Sequence, residues 1–199
     1  MHVQYEELKV VFVGYQKVWK TSIIKRFEQN SFKNNLAPSK KISSSEKFVE
    51  FTNRYECIIK SVDFPGDESC RESLETEIKD ASIVILVYSL DHMFKSEEDL
   101  NEKWLNEIRP KASGNAIIFL VINKIDLLKK YKEFDEDKLR SIAKRNFLRF
   151  FITSAKNNEG IIEFYEEIIR SLKGLDDEDK IIIGKKNNKK SGSNCCCFY

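Results

Sequence analysis

The sequence predicts an α/β fold of three layers, with a mostly parallel six-stranded sheet between helices on both faces. Apolar runs of strand length alternate with amphipathic, helix-compatible segments along the chain. Two runs, at residues 82–88 and 116–122, are apolar without interruption, as strands are when both faces of a parallel sheet are covered. Polar residues follow several strands directly. Because ligands of such sheets bind at the carboxyl ends of the strands, these loops are expected to form one site.

The predicted elements follow one another in a regular order. The predicted strands are residues 8–13, 46–51, 55–62, 82–88, 116–122 and 150–153, with 52–54 as a hairpin turn. The predicted helices are residues 22–29, 72–79, 96–111, 135–147 and 159–172. In the 135–147 helix, Asp135 is the expected N-cap, and Leu139, Ile142, Ala143 and Phe147 are expected to face the core.

The composition describes a globular protein of one domain. The chain has 199 residues, of which 33% are charged and 41% apolar, and its net charge of +2 gives no reason to expect nucleic acid. No signal peptide is recognised, and no apolar run approaches the ~20 residues of a membrane span. Three of the five cysteines are crowded at the end, so neither a disulfide framework nor a Cys/His metal centre is expected. We expect a cytosolic monomer with a folded domain at 1–173 and a tail at 174–199.

The first loop carries a phosphate-binding pattern with one fault. Residues 14–21 read Gly14-x-x-x-x-Trp19-Lys20-Thr21 between a predicted strand and a predicted helix. A tight turn of this kind points backbone N–H groups and a helix N-terminus at one place, which suits a polyphosphate. Lys20 would reach the β- and γ-phosphates, and the Thr21 hydroxyl would bind Mg²⁺. Because Trp19 stands where the pattern has glycine, an ordinary strand and turn is the alternative for this stretch alone.

The loops after the later strands add a carboxylate and a base-recognition pattern. Asp63 is placed to hold Mg²⁺ through water, and Gly66 offers an N–H to a γ-phosphate. Asp126 can accept two hydrogen bonds, from the N1–H and the 2-amino group of guanine, in an arrangement that adenine lacks. Residues 153–156 place a backbone N–H for guanine O6. Each motif alone is compatible with a chance turn, but their order at successive strand ends predicts a guanine-nucleotide site.

Together these motifs resemble the Ras superfamily of small GTPases, most closely its Rab branch, over about residues 8–173. The resemblance implies a three-layer P-loop G domain that binds GTP or GDP with Mg²⁺ held by Thr21, Ser39 and Asp63. The Lys-Thr-Ser run and the paired terminal cysteines favour Rab over Ras or Rho. The nucleotide-binding residues that the resemblance implies are Gly14, Gln16, Lys17, Val18, Trp19, Lys20, Thr21, Ser22, Phe32 (against the base edge), Asp63, Gly66, Asn123, Lys124, Asp126, Ser154, Ala155 and Lys156.

The departures from the family pattern fall on the phosphates and not on the base. Trp19 would cost about 1–3 kcal/mol of strain if its φ is positive, and Ser39 lacks the methyl group of the family's threonine. Asp67 replaces the glutamine that orients the attacking water, and its charge would repel a γ-phosphate. Gln16 and Lys17 are long side chains on a loop usually lined by small ones. The candidate catalytic residues are Asp67, Lys17 and Gly66.

Residues 174–199 are expected to form a flexible tail. An apolar patch at 181–183 is expected either to dock on an escort protein or to pack on the domain itself. A lysine-rich segment at 185–190 would favour an anionic membrane surface. The candidate lipidation sites, as in Rab tails, are Cys195, Cys196 and Cys197.

The expected function is that of a prenylated Rab-like switch with slow GTP hydrolysis, on the cytoplasmic face of an intracellular membrane and with a cytosolic pool. Its implied partners are effectors, an exchange factor and an escort protein in vesicle trafficking. Trp19 and Asp67 leave open a pseudo-GTPase, a membrane-anchored binding module with impaired nucleotide binding or hydrolysis. Asp126 disfavours a third class, the ATP-dependent P-loop enzymes.

Overall fold

The computed structural model of the protein describes residues 6–51, 55–173 and 181–182. The strands are β1 (Glu6–Val13), β2 (Ser43–Phe51), β3 (Tyr55–Asp63), β4 (Ile83–Ser89), β5 (Ile117–Asn123), β6 (Arg149–Ile152) and β7 (Ile181–Ile182). The helices are α1 (Lys20–Gln29), α2 (Leu74–Ile78), α3 (Glu97–Leu100), α4 (Asn106–Lys111), α5 (Glu136–Arg145) and α6 (Ile161–Lys173).

These strands form one sheet in the order β6-β5-β4-β1-β3-β2-β7. Strand β1 pairs in parallel with β3 on one side and with β4 on the other, and β5 and β6 continue in parallel. Strand β2 is antiparallel to β3. The predicted mostly parallel α/β fold is confirmed. Because the strand order reverses at β1, a crevice is expected at the carboxyl end of this strand.

Two apolar layers cover the two faces of the sheet. Along β1, Val10 and Phe12 face the layer that contains α1 and α6, while Val11 and Val13 face the layer that contains α2, α4 and α5. Strand β4 is buried at all positions, which explains why its sequence is apolar without interruption. The uninterrupted apolar sequence of β4 therefore indicates that helices cover both faces of the sheet.

Two predicted helices are less regular than their sequences suggest. The 96–111 segment contains a π-helical stretch, Asn101–Leu105, between α3 and α4. The wider turn brings both Trp104 and Leu105 into the core. The 72–79 helix reduces to α2, and a 3₁₀ segment at Glu68–Ser73 precedes it.

The prediction that Phe147 faces the core is wrong. Leu139, Ile142 and Ala143 are buried as predicted, but Phe147 is 92% exposed. Helix α5 ends at Arg145, and Phe147 has a left-handed φ of 52°. The next residue, Leu148, is buried, and its N–H bonds the Ala143 carbonyl, which is the Schellman arrangement. The reversal of the chain thus turns Phe147 outward and puts Leu148 in the core.

The apolar patch of the tail provides an additional strand. Ile181 and Ile182 form β7 and pair antiparallel with Phe51 and Glu50 of β2. Of the two predicted destinations of this patch, the structure shows it on the domain's own sheet. The turn at 52–54, the lysines at 185–190 and the three terminal cysteines lie outside the described residues. Among the described residues, no helix is both long and apolar enough to cross a membrane. The boundary after residue 173 and the monomeric state stay predictions.

Candidate functional site

The phosphate side of the site begins with Gly14 and Lys20. Gly14 has a φ of 137°, and a Cβ there would collide with the Val87 carbonyl, so this turn requires glycine. Lys20 begins α1 and is only 6% exposed. Its ammonium donates hydrogen bonds to the carbonyls of Gly14 and Tyr15, each over 2.8 Å. Burial lowers the pKa of Lys20 to about 8, against the opposing effect of the Asp63 charge. The loop therefore encloses a desolvated amine at a helix N-terminus, which suits a phosphate.

Three side chains predicted to bind Mg²⁺ meet beside this amine. The hydroxyls of Thr21 and Ser39 donate to Asp63 Oδ2 over 2.5 and 2.9 Å, and they lie 3.0 Å from each other. The other carboxylate oxygen, Asp63 Oδ1, is buried and has no hydrogen-bond partner in the described part of the chain. Mg²⁺ prefers oxygen ligands of this kind. The donor set and the unpartnered oxygen fit the predicted ion.

Gly66 and Asp67 lie against the first loop. A Cβ on Gly66 would collide with the backbone at Gln16, so this close approach requires glycine. The Asp67 carboxylate accepts hydrogen bonds from the Gln16 side-chain amide over 3.1 Å and from the Ser69 backbone over 3.0 Å. It thereby caps the 3₁₀ segment, and the bond from the Ser69 backbone holds the pKa of this exposed carboxyl below its usual value. Asp67 therefore stays ionised.

Trp19, which stands where the phosphate-loop pattern has glycine, adopts the positive φ that the sequence analysis associated with strain. Trp19 has a left-handed φ of 68°, and Lys17, two residues earlier, has a φ of 65°. A tryptophan in this region carries strain of about 1–3 kcal/mol. The Lys17 side chain is exposed, whereas the Trp19 indole is half-buried and packs against the Phe32 ring in a tilted arrangement, with 5.0 Å between the ring centroids.

On the base side, Asn123 holds three loops together. It is fully buried, and its side-chain amide donates to the Val18 carbonyl over 3.0 Å. Its carbonyl oxygen accepts from the Ala155 N–H over 3.1 Å and from the Thr153 hydroxyl over 3.3 Å. The Ala155 N–H, a candidate donor to guanine O6, is thus bonded to Asn123. The geometry makes Asn123 a positioning residue that joins the first loop to the base loops.

Asp126 is held by the last base motif. Its side chain is 7% exposed, and Lys156 Nζ lies 3.7 Å from Oδ2. The Ser154 hydroxyl donates to Oδ1 over 2.7 Å and accepts from the Asn157 N–H over 3.1 Å. Two loops that are far apart in sequence therefore position the carboxylate predicted to select guanine.

A sequence model of the Ras family matches residues 9–174, which include every element from β1 to α6 except the first residues of β1. The chain belongs to the Ras family. It is therefore a small GTPase, a switch of the class that binds guanine nucleotide, generally with Mg²⁺. This membership sets aside the ATP-dependent alternative, and it does not distinguish the Rab branch from the others.

Two residues that contact the site of this Ras-family protein, Asp91 and Arg26, were not predicted from the sequence. Asp91 follows β4 and accepts hydrogen bonds from Lys124 Nζ at its two carboxylate oxygens, over 2.9 and 2.8 Å, and from the Ser89 hydroxyl over 2.6 Å. Burial would raise the pKa of Asp91, but the bonds from Lys124 and Ser89 hold it below its usual value. Its position directly after a strand was an available signal. Arg26 donates to the carbonyls of Ala155 and Lys156, and nothing in the sequence distinguishes it from other helix-surface residues.

A cavity of about 150 Å³ lies on the phosphate side of the Ras-family site. The first loop, the segment 36–39 and the residues Asp63 and Gly66 line it. Trp19 belongs to its wall, whereas Asp67, Phe32, Lys124 and Asp126 do not. The phosphate and Mg²⁺ candidates therefore share one open space that the base candidates do not line.

Proposed function

We propose that this Ras-family protein is a Rab-like switch that binds GDP or GTP with Mg²⁺ and recruits effectors in vesicle-mediated trafficking. The observation that carries the proposal is the meeting of Ser39 with Thr21 and Asp63. Ser39 lies in the irregular segment between α1 and β2, and its hydroxyl links that segment to the Mg²⁺ residues. A bound Mg²⁺ would compete with Asp63 for the Ser39 hydroxyl, so the conformation of this segment would depend on the nucleotide, as effector recruitment requires.

The roles of the phosphate-side residues follow from their chemistry. When bound, Mg²⁺ supplies charge neutralisation to the β- and γ-phosphates. Thr21, Ser39 and Asp63 would hold the ion, and Asp63 has a free oxygen for it. Lys20 would exchange one of its backbone carbonyl partners for a phosphate oxygen, and the Gly66 N–H would donate toward the γ-phosphate. Chain groups thus bind and orient the phosphates, and water is the attacking group.

Slow hydrolysis is part of the proposal because of Asp67. Its ionised carboxylate is an acceptor only, so it cannot donate a hydrogen bond to the γ-phosphate. Its negative charge would also repel the γ-phosphate, as like charges do at short distance. The bonds from Gln16 and Ser69 each occupy one of the two carboxylate oxygens, which leaves fewer acceptor positions for an attacking water. The switch would then depend on a GTPase-activating partner.

Changing Asp67 to glutamine is expected to raise the single-turnover rate of GTP hydrolysis by about tenfold or more. The amide removes the like charge beside the γ-phosphate and adds a donor. The affinity for GDP should change little, because GDP has no γ-phosphate. The measurement is hydrolysis of preloaded GTP at fixed Mg²⁺, followed by phosphate release.

Two further variants test the charge and side-chain length of residue 67 and the contribution of the Lys17 cation. Asp67→Asn removes the charge but keeps the short side chain and its capping ability, so it should recover less activity than Asp67→Gln. Lys17→Ala should lower the remaining rate if the exposed Lys17 ammonium reaches the β–γ bridge and acts there as a cation supplied in cis. A rate that is the same in Asp67→Gln and the wild type would show that Asp67 does not face the γ-phosphate.

The alternative function, a pseudo-GTPase, rests on Trp19 and Asp67. Denaturing the purified protein and identifying the released nucleotide by chromatography separates the two functions. GDP or GTP in the supernatant supports the switch. A protein that releases none, and that also fails to load GDP after treatment with EDTA and excess nucleotide, supports the binding module.

The Rab assignment adds a membrane anchor in the tail. Its basis is the Lys-Thr-Ser run at 20–22 and the three terminal cysteines, of which adjacent pairs are the substrate type of the Rab lipidation pathway. Two lipid chains, or one chain with the basic segment 185–190, provide stable attachment. The protein would then cycle between the cytoplasmic face of an intracellular membrane and a cytosolic pool held by an escort protein.

Replacing Cys195, Cys196 and Cys197 by serine is expected to move the protein entirely into the soluble fraction. Without thiols the chain cannot carry thioether-linked lipids, and the basic segment alone binds weakly and reversibly. The measurement is fractionation of cells that express the full chain, with the Cys57→Ser variant as a matched thiol control because Cys57 is buried in the core. If the triple variant still sediments with membranes, the anchor lies elsewhere.

A further inference from the structure

The Trp19 indole lies between two side chains that reach it from different parts of the chain. The Phe32 ring stands 5.0 Å away, centroid to centroid, at an interplanar angle of 59°. On the Lys124 side, the ammonium lies 4.6 Å from the indole centroid. Both separations are within the range of attractive aromatic and cation–π contacts. The indole is therefore held by two contacts at the end of a strained loop.

Phe32 and Lys124 belong to the base side of the site. Phe32 is the ring expected against the base edge, and Lys124 is part of the motif that contains Asp126. Arg26 connects the same group: its guanidinium lies 5.8 Å from the Phe32 ring centroid and donates to the Ala155 carbonyl of the last base motif. The two residues that hold the indole are thus the ones that would hold a purine.

The shape of the cavity agrees with this arrangement. The open space of about 150 Å³ is smaller than the roughly 300–1,000 Å³ of typical ligand pockets. Trp19 is in its wall, and neither Phe32 nor Lys124 lines it. The lining of this cavity therefore includes the indole and does not include Asp126.

We propose that the Trp19 indole takes the place of the guanine base in the nucleotide-free protein, so that an incoming nucleotide must displace it. The inference rests on the proposed nucleotide-binding function and adds an internal competitor for the base. An indole resembles a purine in being a flat pair of fused rings. With the Trp19 backbone kept in its left-handed conformation (φ 68°), rotation of the side chain would suffice for displacement.

This competition makes a prediction that differs from simple distortion of the phosphate loop. A base-site competitor weakens every ligand that carries guanine, including the nucleoside, and leaves the binding of pyrophosphate unaffected. A distorted loop weakens pyrophosphate and leaves guanosine unaffected. Loss of the two contacts of the indole corresponds to roughly a 10- to 100-fold gain in affinity for guanosine.

The test measures guanosine, pyrophosphate and GDP affinities of the full-length wild type and three Trp19 variants by titration calorimetry. Trp19→Gly and Trp19→Asn both accept a positive φ and both remove the indole. Trp19→Phe keeps an aromatic ring in the same backbone. Guanosine affinity is expected to rise in the glycine and asparagine variants and to stay closest to wild type in the phenylalanine variant. Equal guanosine affinity in all four proteins would overturn the inference.

A second measurement leaves Trp19 in place. The chain has two tryptophans, so Trp104→Phe makes Trp19 the single tryptophan, which can be excited selectively over the tyrosines. Adding GDP and Mg²⁺ is expected to shift the emission to longer wavelength as the indole moves into water. If GDP binds without a shift, and guanosine affinity is the same in every Trp19 variant, the indole does not compete and the switch function stands. If neither the wild type nor any variant binds GDP, the proposed function itself fails.

Discussion

Asp126→Asn is expected to lower the affinity for GDP by roughly a hundred- to ten-thousand-fold and to raise the affinity for XDP. The carboxylate would accept two charge-assisted hydrogen bonds from guanine, each worth about 1.5–3 kcal/mol. An amide accepts only one and places its NH₂ against the second donor. In xanthine, an exocyclic 2-oxo group replaces the 2-amino group and can accept a hydrogen bond from that amide. The measurement is competition of GDP and XDP for the Mg²⁺-loaded protein.

The substitution should leave the fold intact, which makes the base preference a clean readout. Asp126 accepts from the Ser154 hydroxyl over 2.7 Å, and an asparagine carbonyl oxygen can accept the same bond. Asp135→Asn is a matched control, because it makes the same chemical change at the N-cap of α5, where asparagine caps equally well. An unchanged ratio of GDP to XDP affinity in Asp126→Asn would show that this carboxylate does not contact the base.

Lys20→Met is expected to lower the affinity for GDP and GTP by at least about 100-fold. It should also remove the pH dependence of stability and of nucleotide binding that the Lys20 amine causes. In the nucleotide-free protein, burial lowers the pKa of Lys20 to about 8 from its usual value of 10.5. Between these values the unfolded chain binds more protons, so stability should rise as pH rises from about 8 to about 10.5. Below about 8 both states are protonated, and the burial penalty is fully present.

Nucleotide binding should reverse this effect at the same amine. Phosphate favours the charged form, so GDP binding above pH ~8 is expected to take up a proton, and affinity should fall as pH rises. Calorimetry at pH ~9 in two buffers of different ionisation heat counts the protons. Lys25→Met, also on α1, is the control and should keep both the affinity and the proton uptake. Equal proton uptake in Lys20→Met and the wild type would assign the titration to another group.

Strand and helix positions were readable from the chain because they depend on local pattern. The apolar run of β4 is buried at all seven positions, and the Asp135 side chain caps α5 through the Lys138 N–H as predicted. The strand-end motifs were readable for a related reason. A parallel sheet brings the carboxyl ends of its strands to one edge, so Thr21 and Asp63 meet although 42 positions separate them.

Other features depended on which side chains meet in space. The sequence predicted strain at Trp19, but only the fold shows the indole between Phe32 and Lys124. The sequence placed a charge at Asp67, and the fold shows this carboxylate bonded to Gln16 and Ser69. The side-chain conformations of Trp19 and Asp67 are determined by packing between segments that are distant in sequence, and local sequence patterns do not encode this packing.

The sequence by itself determined the layered fold and the phosphate loop, and it predicted the base-recognition residues, since each follows from periodicity or from a motif at a strand end. Tertiary structure alone decided the exposure of Phe147, the pairing of β7 with β2 and the role of Asn123 as a brace. Each of these depends on competition for one place in the core, at a sheet edge or between loops. Which side chain or segment occupies each position is decided only when the whole chain is packed together.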